Sequence, residues 1–341
     1  MITHEKKKYD LFIIWLYSSL ALIFLMIIVG GLTRLTNSGL SITEWELFKG
    51  TLPPLNKNSW NNYFNLYKEI PQFEIINPQM TMAEFKIIFY WEYFHRLLGR
   101  VIGLFFLIPL IYFYFSKKID SRYLKTCYLV FFLIAIQGIV GWYMVESGLV
   151  HNVTVSHYRL SLHLSLALII ISIIFWSILN VNNNTFKKFF NLSTNNIFIL
   201  VLFFLLFFQI IFGAFVSGLD AGQLYQTWPL MNYSYFPDDV SVSNFFSLFD
   251  FNNHSLVQFY HRNLAYVITI YILILCFFIL KNKIEKLYKP LRLLVVFLIF
   301  QVSLGIFTLV SGLNILLASL HQIGSVILIF SLLNLYYIYI K

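Results

Sequence analysis

Trp91-Glu92-Tyr93-Phe94-His95-Arg96-Leu97-Leu98-Gly99-Arg100 opens a long apolar run with a carboxylate, an imidazole and two guanidinium groups. Ionisable side chains are costly in hydrocarbon, so their presence there marks a functional position. The signature returns far downstream, where Gln258-Phe259-Tyr260-His261-Arg262 opens another apolar run. Two further apolar segments hold one histidine each, His163 and His321. Four apolar helices with one imidazole apiece are what the rest of the chain has to explain.

Composition places that pattern in a membrane. The 341 residues are 59% hydrophobic and 11% charged, with a mean hydropathy of +0.74, whereas a soluble domain carries about 25% charged residues. The net charge of +9 is concentrated in short loops, which fits orientation by flanking Lys and Arg and not nucleic-acid binding. Cys127 and Cys276 are the only cysteines and lie in or beside apolar runs. They read as small core residues, which excludes a disulfide framework and a Cys-ligated metal.

Going outward along the chain, Lys6-Lys7-Lys8 precede a run at about 11–31, long enough to cross roughly 30 Å of hydrocarbon. No small-residue cleavage site follows it, so it is kept as the first membrane helix and not as a signal peptide. A polar loop with Pro53, Pro54, Pro71 and Pro78 separates it from a second helix at about 87–115. The third ends near 144, the fourth runs from about 157 to 179 and the fifth from about 197 to 218. A second long loop, acidic at 220–253, leads to the sixth, opening at 258–261. Lys281, Lys283, Lys286, Lys289 and Arg292 are expected between the sixth and seventh helices, and the eighth closes the chain. Lys-rich loops face the cytoplasm, which predicts eight spanning helices, both termini cytoplasmic and both long loops outside.

An internal repeat sharpens the architecture. One constant offset superposes Gly30 on Gly213, Gly39 on Gly222, Trp45 on Trp228 and Pro54 on Pro237. With a shorter loop, Tyr93-Phe94-His95-Arg96 aligns with Phe259-Tyr260-His261-Arg262, Gln137-x-x-x-Gly141 with Gln301-x-x-x-Gly305, and His163 with His321. Four helices per repeat is an even number, so the halves keep the same orientation. The expected fold is all-α, two parallel-repeat four-helix bundles at 1–182 and 183–341, a scaffold that holds cofactors between facing helices.

Under this topology all four histidines lie near the outer ends of their helices, one pair per bundle. Zinc would want further ligands to close a tetrahedron, whereas haem supplies four ring nitrogens and needs only axial ligands. Bis-histidine haem therefore fits best, with Arg96 and Arg262 placed for its propionates. Gly99, Gly103 and Gly138 are small enough to let a flat macrocycle approach. A lone histidine in an apolar helix is more often a satisfied packing residue, but four repeat-related ones reverse that balance. His4, His151, His157 and His254 lack repeat partners and are expected in loops, with His157 a weaker alternative ligand.

The halves differ at one position. Glu92 precedes His95 by about one turn, so its carboxylate is expected to project toward the edge of a bound haem; the matching residue is Gln258, which cannot titrate. That asymmetry points to chemistry in the first half and electron transfer in the second. The competing role for Glu92 is an interfacial partner of Arg96 at i+4.

The stretches Gly30-Gly31-Leu32-Thr33-Arg34-Leu35-Thr36-Asn37-Ser38-Gly39-Leu40-Ser41, Glu44-Trp45, Gly50-Thr51-Leu52-Pro53-Pro54 and Glu92 through Arg100 carry a resemblance. With them go Tyr158-Arg159-Leu160-Ser161-Leu162-His163-Leu164, Phe259-Tyr260-His261-Arg262 and Leu320-His321-Gln322. Over nearly its whole length the chain resembles the haem A synthases, in the branch found in alphaproteobacteria and mitochondria. The resemblance implies an oxidoreductase of the bacterial inner membrane that converts the C8 methyl of haem O to the formyl group of haem A for cytochrome oxidase. It implies Glu92 as the catalytic residue, His95 and His163 on the substrate haem iron, and His261 and His321 on a haem b cofactor. Implied partners are haem O and haem A, membrane lipid, an electron acceptor, the haem O synthase (protohaem farnesyltransferase) and oxidase assembly factors. Paired outer-loop cysteines of another branch are missing, so no role for them carries over.

Two other classes share some of these features. A dihaem b-type cytochrome would use bis-histidine helices, but stacks haems across the bilayer, commonly with two histidines per helix; here each ligand helix has one, all on the outer side. A proton-coupled carrier would use repeats and membrane histidines, but leaves the His-Arg pairs unexplained.

Overall fold

The computed structural model describes residues 10–45, 49–150, 152–190, 194–240 and 245–340. Within them every regular element is helical, and eight helices are long and apolar enough to cross a membrane. In the first part of the chain these are α1 (Asp10–Leu35), α4 (Met82–Ser116), α5 (Ser121–Glu146) and α6 (His157–Asn182). Two short helices, α2 (Lys57–Lys68) and α3 (Pro71–Ile76), lie in the first long loop. The remaining long ones are α7 (Thr194–Gly218), α8 (His254–Lys281), α9 (Tyr288–Val310) and α10 (Ile315–Tyr339). Large apolar side chains such as Ile108, Phe115, Phe132, Phe204 and Phe277 are exposed along them, the inverse of a soluble helix and the surface a lipid solvent accepts. Met1–Ser177 and Ile178–Lys341 form two compact units. In the first, α1 packs on α4 and α4 on α5; in the second, α7, α8, α9 and α10 each pack on the next, and α10 returns to α7.

Capping decides where the helices begin, and it moves several boundaries. α4 starts at Met82, ahead of the expected 87, because Thr81 and Glu84 form a capping box: Thr81 N–H donates to Glu84 Oε2 at 2.8 Å, and Glu84 N–H donates to Thr81 Oγ1 at 3.3 Å. α8 starts at His254, with Asn253 Oδ1 accepting from Leu256 N–H at 3.0 Å. His157 and His254, expected in loops, are thus the first residues of α6 and α8. Lys289 and Arg292 lie inside α9 and not before it; Pro290 beside Lys289 fits a first helical turn, where no N–H is missed. His4 and His151 fall outside the described residues.

Pro109 sits within α4 and cannot donate to the carbonyl of Phe105, one turn back. The indole N–H of Trp15 on α1 takes that place, donating to Phe105 O at 3.2 Å. A carbonyl left bare in hydrocarbon would be costly, so this bond both satisfies α4 and fixes α1 against it.

The first long loop has its own core. Trp60, Phe64 and Tyr67 of α2 bury against Phe85, Phe89 and Tyr93 on the first turns of α4. The Tyr67 hydroxyl donates to Gln72 Oε1 at 3.0 Å and accepts from Asn77 Nδ2 at 2.8 Å, and burial raises its pKa. Gln72 Nε2 in turn donates to Asn37 O at 3.3 Å, tying the loop to the chain leaving α1. In the second unit Lys187 Nζ donates to Tyr337 O at 3.0 Å and Ile340 O at 2.6 Å, covering carbonyls that the end of α10 leaves open.

Candidate functional site

The four apolar-segment histidines form two pairs, one in each unit. The ring centroids of His95 on α4 and His163 on α6 are 6.4 Å apart, and those of His261 on α8 and His321 on α10 are also 6.4 Å apart. Two imidazoles reaching one ion from opposite sides, with metal–nitrogen distances of about 2 Å, place their ring centres about 6 Å apart. Both pairs therefore have the span of axial ligands to a single iron. Among the described residues no three His, Cys, Asp or Glu side chains converge on one point, so the donor set fits a macrocycle that brings its own equatorial nitrogens.

Every imidazole is seated on a glycine of the spanning helix before it in the chain. A Cβ added at Gly30 would lie 3.1 Å from His95 Nε2; at Gly141, 3.0 Å from His163 Cε1. At Gly213 it would lie 3.1 Å from His261 Cε1, and at Gly305, 2.9 Å from His321 Cε1. These distances leave no ordinary room for a methyl group, so glycine lets each ring lie against its neighbouring helix. Gly99, Gly103 and Gly138, the sites expected for close approach, do not seat a ring: Gly99 faces Met26, and Gly103 and Gly138 have no neighbour within 4 Å of an added Cβ.

One turn before three of these glycines stands a glutamine. Gln137, Gln209 and Gln301 donate through Nε2 to the backbone carbonyls of His163, His261 and His321 at 3.0, 3.0 and 2.9 Å. The amides of Gln209 and Gln301 also lie 3.2 Å from Nδ1 of His261 and His321. His321 Nδ1 is 3.2 Å from Gln301 O; with a proton on Nδ1 it donates there and leaves the Nε2 lone pair for a metal. His163 Nδ1 and the Oε1 atoms of the three glutamines are buried without a hydrogen-bond partner, so polar capacity is concentrated around the rings.

Glu92 is held more tightly than its motif implied. It is buried; Oε2 accepts from Ser41 Oγ at 2.8 Å and from Ile42 N–H at 2.9 Å, and Oε1 accepts from Arg96 Nε at 3.0 Å and Nη2 at 2.6 Å. Arg96 also donates to the carbonyls of Ile42 and Glu44, and its guanidinium lies 5.4 Å from the Trp45 ring centre. In the second unit Arg262 donates to Tyr225 O at 2.6 Å and Thr227 O at 2.9 Å, the repeat partners of Ile42 and Glu44. Gln258 Nε2 donates to Tyr225 O at 2.9 Å. The correspondence thus extends to individual hydrogen bonds, except that the second unit has Gln258 in place of Glu92 and Leu224 where Ser41 stands. His157 packs on Tyr158, ring centres 4.0 Å apart.

The structure is that of a membrane protein with eight helices of spanning length and two histidine pairs, one in each unit. A family model described as "Cytochrome oxidase assembly protein", COX15-CtaA, matches residues 13–333, and the chain belongs to that family. Similar proteins named "Heme A synthase" come from Pelagibacter ubique, 51% identical over 93% of this chain and 93% of the relative, and from Nitrosospira multiformis, 42% identical over 92% and 89%. A third, from Rickettsia felis, is 39% identical over 95% and 96%. Membership of this family sets aside the dihaem electron-transfer cytochrome.

Sequence reasoning named the histidines, the arginines and Glu92. It used Gly30, Gly141, Gly213, Gly305, Gln137 and Gln301 only as repeat markers, although the recurring Gln-x-x-x-Gly spacing was the signal for a ring seat. Ser41 and Ile42, fifty residues before Glu92, carried no such signal.

Proposed function

We propose that this chain is a haem A synthase, oxidising the C8 methyl group of haem O by successive hydroxylations to the formyl group of haem A for cytochrome c oxidase. The observation that carries this reading is the presence of two imidazole pairs with ring centroids 6.4 Å apart in a chain whose relatives carry that name. In it the chain forms two parallel-repeat four-helix bundles. Residues 1–182 bind the substrate haem through His95 and His163, and residues 183–341 bind haem b through His261 and His321. Haem b, when bound, supplies one-electron transfer. Both termini face the cytoplasm, the protein sits in a bacterial inner membrane, and haem O reaches it from its synthase, with assembly factors receiving the product.

The chain's own residues have definable tasks. Arg96 and Arg262 recognise propionates by paired N–H donors. Arg96 already holds Glu92 Oε1, so a move of its guanidinium toward a propionate frees that oxygen to accept a proton. Ser41 Oγ and Ile42 N–H keep Oε2 fixed meanwhile. Glu92 then acts as a positioned proton acceptor beside the substrate methyl.

Purified full-length protein from cells that make haem O should show a low-spin haem b spectrum, and acid-acetone extraction should yield haem O or haem A beside haem b. Pigment consisting of haem b alone, or no haem, would sink the reading. Orientation is tested separately: reporters placed at 116–125 or 281–289 should label as cytoplasmic, and those at 56–79 or 238–253 as external. Inverted labelling would put the ligand pairs on the wrong side of the membrane.

A further inference from the structure

The four ring seats share a glycine and differ in what stands one turn before it. Gln137, Gln209 and Gln301 tie the backbone at His163, His261 and His321 to the preceding helix, and two of them also approach the ring Nδ1 at 3.2 Å. At the fourth seat, one turn before Gly30, the residue is Met26. A thioether donates no hydrogen bond and accepts only weakly. The Met26 methyl lies instead 3.4 Å from an added Cβ on Gly99, one turn beyond His95 on α4. Met26 and Gln209 occupy the same place in the repeat, at the offset that superposes Gly30 on Gly213. The difference is therefore one of side chain within a common architecture.

A partner on a ligand's outer nitrogen holds ring orientation and raises ligand strength, and its loss typically costs about 10- to 100-fold in metal affinity; a glutamine on the ligand's backbone carbonyl fixes the turn that carries the ring. His163, the other member of the first pair, has its glutamine; His95 does not. We propose that His95 is the axial ligand that releases from iron, and that Met26 is the positioning residue that makes it releasable. The proposal rests on the haem assignment above. It explains how a site with an imidazole on each face admits a substrate and discharges a product, whereas the second site, with both ligands braced, retains its haem. It also places the opened face beside the ligand that shares a helical turn with Glu92.

The test is carbon monoxide binding to the full-length protein, purified with its haems and reduced by dithionite. An iron with two imidazoles takes carbon monoxide only after one departs, so at saturating gas the rate reads ligand departure. Wild-type protein should give a fast phase from the first-unit haem and a slow or absent phase from the second. Met26→Gln should slow the fast phase about tenfold, Gln209→Met should accelerate the slow phase about tenfold, and Met26→Leu should change neither. If Gln209→Met fails to retain haem, the comparison of Met26→Gln with Met26→Leu decides alone. Unchanged kinetics in Met26→Gln with both haems bound would overturn the release proposal and leave the haem assignment intact; so would a fast phase that disappears in His261→Ala. A preparation without haem would overturn the assignment itself.

Discussion

Glu92→Gln is expected to leave both haems bound while haem A falls by about 10² to 10⁴-fold, with haem O or its alcohol accumulating in extracted pigment. That factor is what loss of a positioned acid or base typically costs. The substitution keeps side-chain size and an oxygen for the Ser41 hydroxyl and the Ile42 N–H, and it makes the first site resemble the second, where Gln258 donates to Tyr225 O. What it removes is the anion facing Arg96 at 2.6 Å and the capacity to accept a proton. Gln258→Glu should be nearly silent in haem A yield. Normal haem A from Glu92→Gln would reduce the carboxylate to a clasp between Arg96 and the outer loop, a role its four hydrogen bonds could also serve.

The second large effect concerns the ligand pairs. His261→Ala or His321→Ala should abolish the low-spin haem b spectrum and leave substrate haem partly bound, and His95→Ala or His163→Ala should do the reverse. The expectation follows from the pairing within units, His95 with His163 and His261 with His321. It is checked by reduced-minus-oxidised spectra together with quantitation of each extracted haem. Loss of both haems from a single alanine substitution, in protein that retains its helical circular dichroism, would mean that the two sites are not independent.

Much of this was legible in the sequence, because the membrane makes helices necessary and repeats make them comparable. Apolar runs located all eight spanning helices, and the His-Arg echo singled out His95 and His261, one ring of each pair. The errors lie where a short polar contact decides: α4 and α8 extend beyond their apolar stretches because Thr81, Glu84 and Asn253 satisfy first-turn N–H groups. Partners of Glu92 were out of reach for a different reason. Ser41 and Ile42 meet it only once the loop leaving α1 has folded over α4, and no periodicity encodes that closure. Hydrophobicity also cannot tell a glycine that seats a ring from one that does not. Gly141 and Gly138 lie on one helix three residues apart, and only the rotation of α5 against α6 separates their roles.

The ring seats also bear on how such a protein is made. Each histidine rests on a glycine of the spanning helix synthesised just before it: Gly30 for His95, Gly141 for His163, Gly213 for His261 and Gly305 for His321. The three bracing contacts follow the same rule. The unit that orients a ligand is therefore a pair of consecutive spanning helices, complete as soon as both have left the insertion machinery. The imidazole paired with it comes from the next such pair. Ligand orientation is thus a property of hairpins and ligation a property of hairpin pairs, so each half of the chain can finish its site during synthesis without waiting for the other.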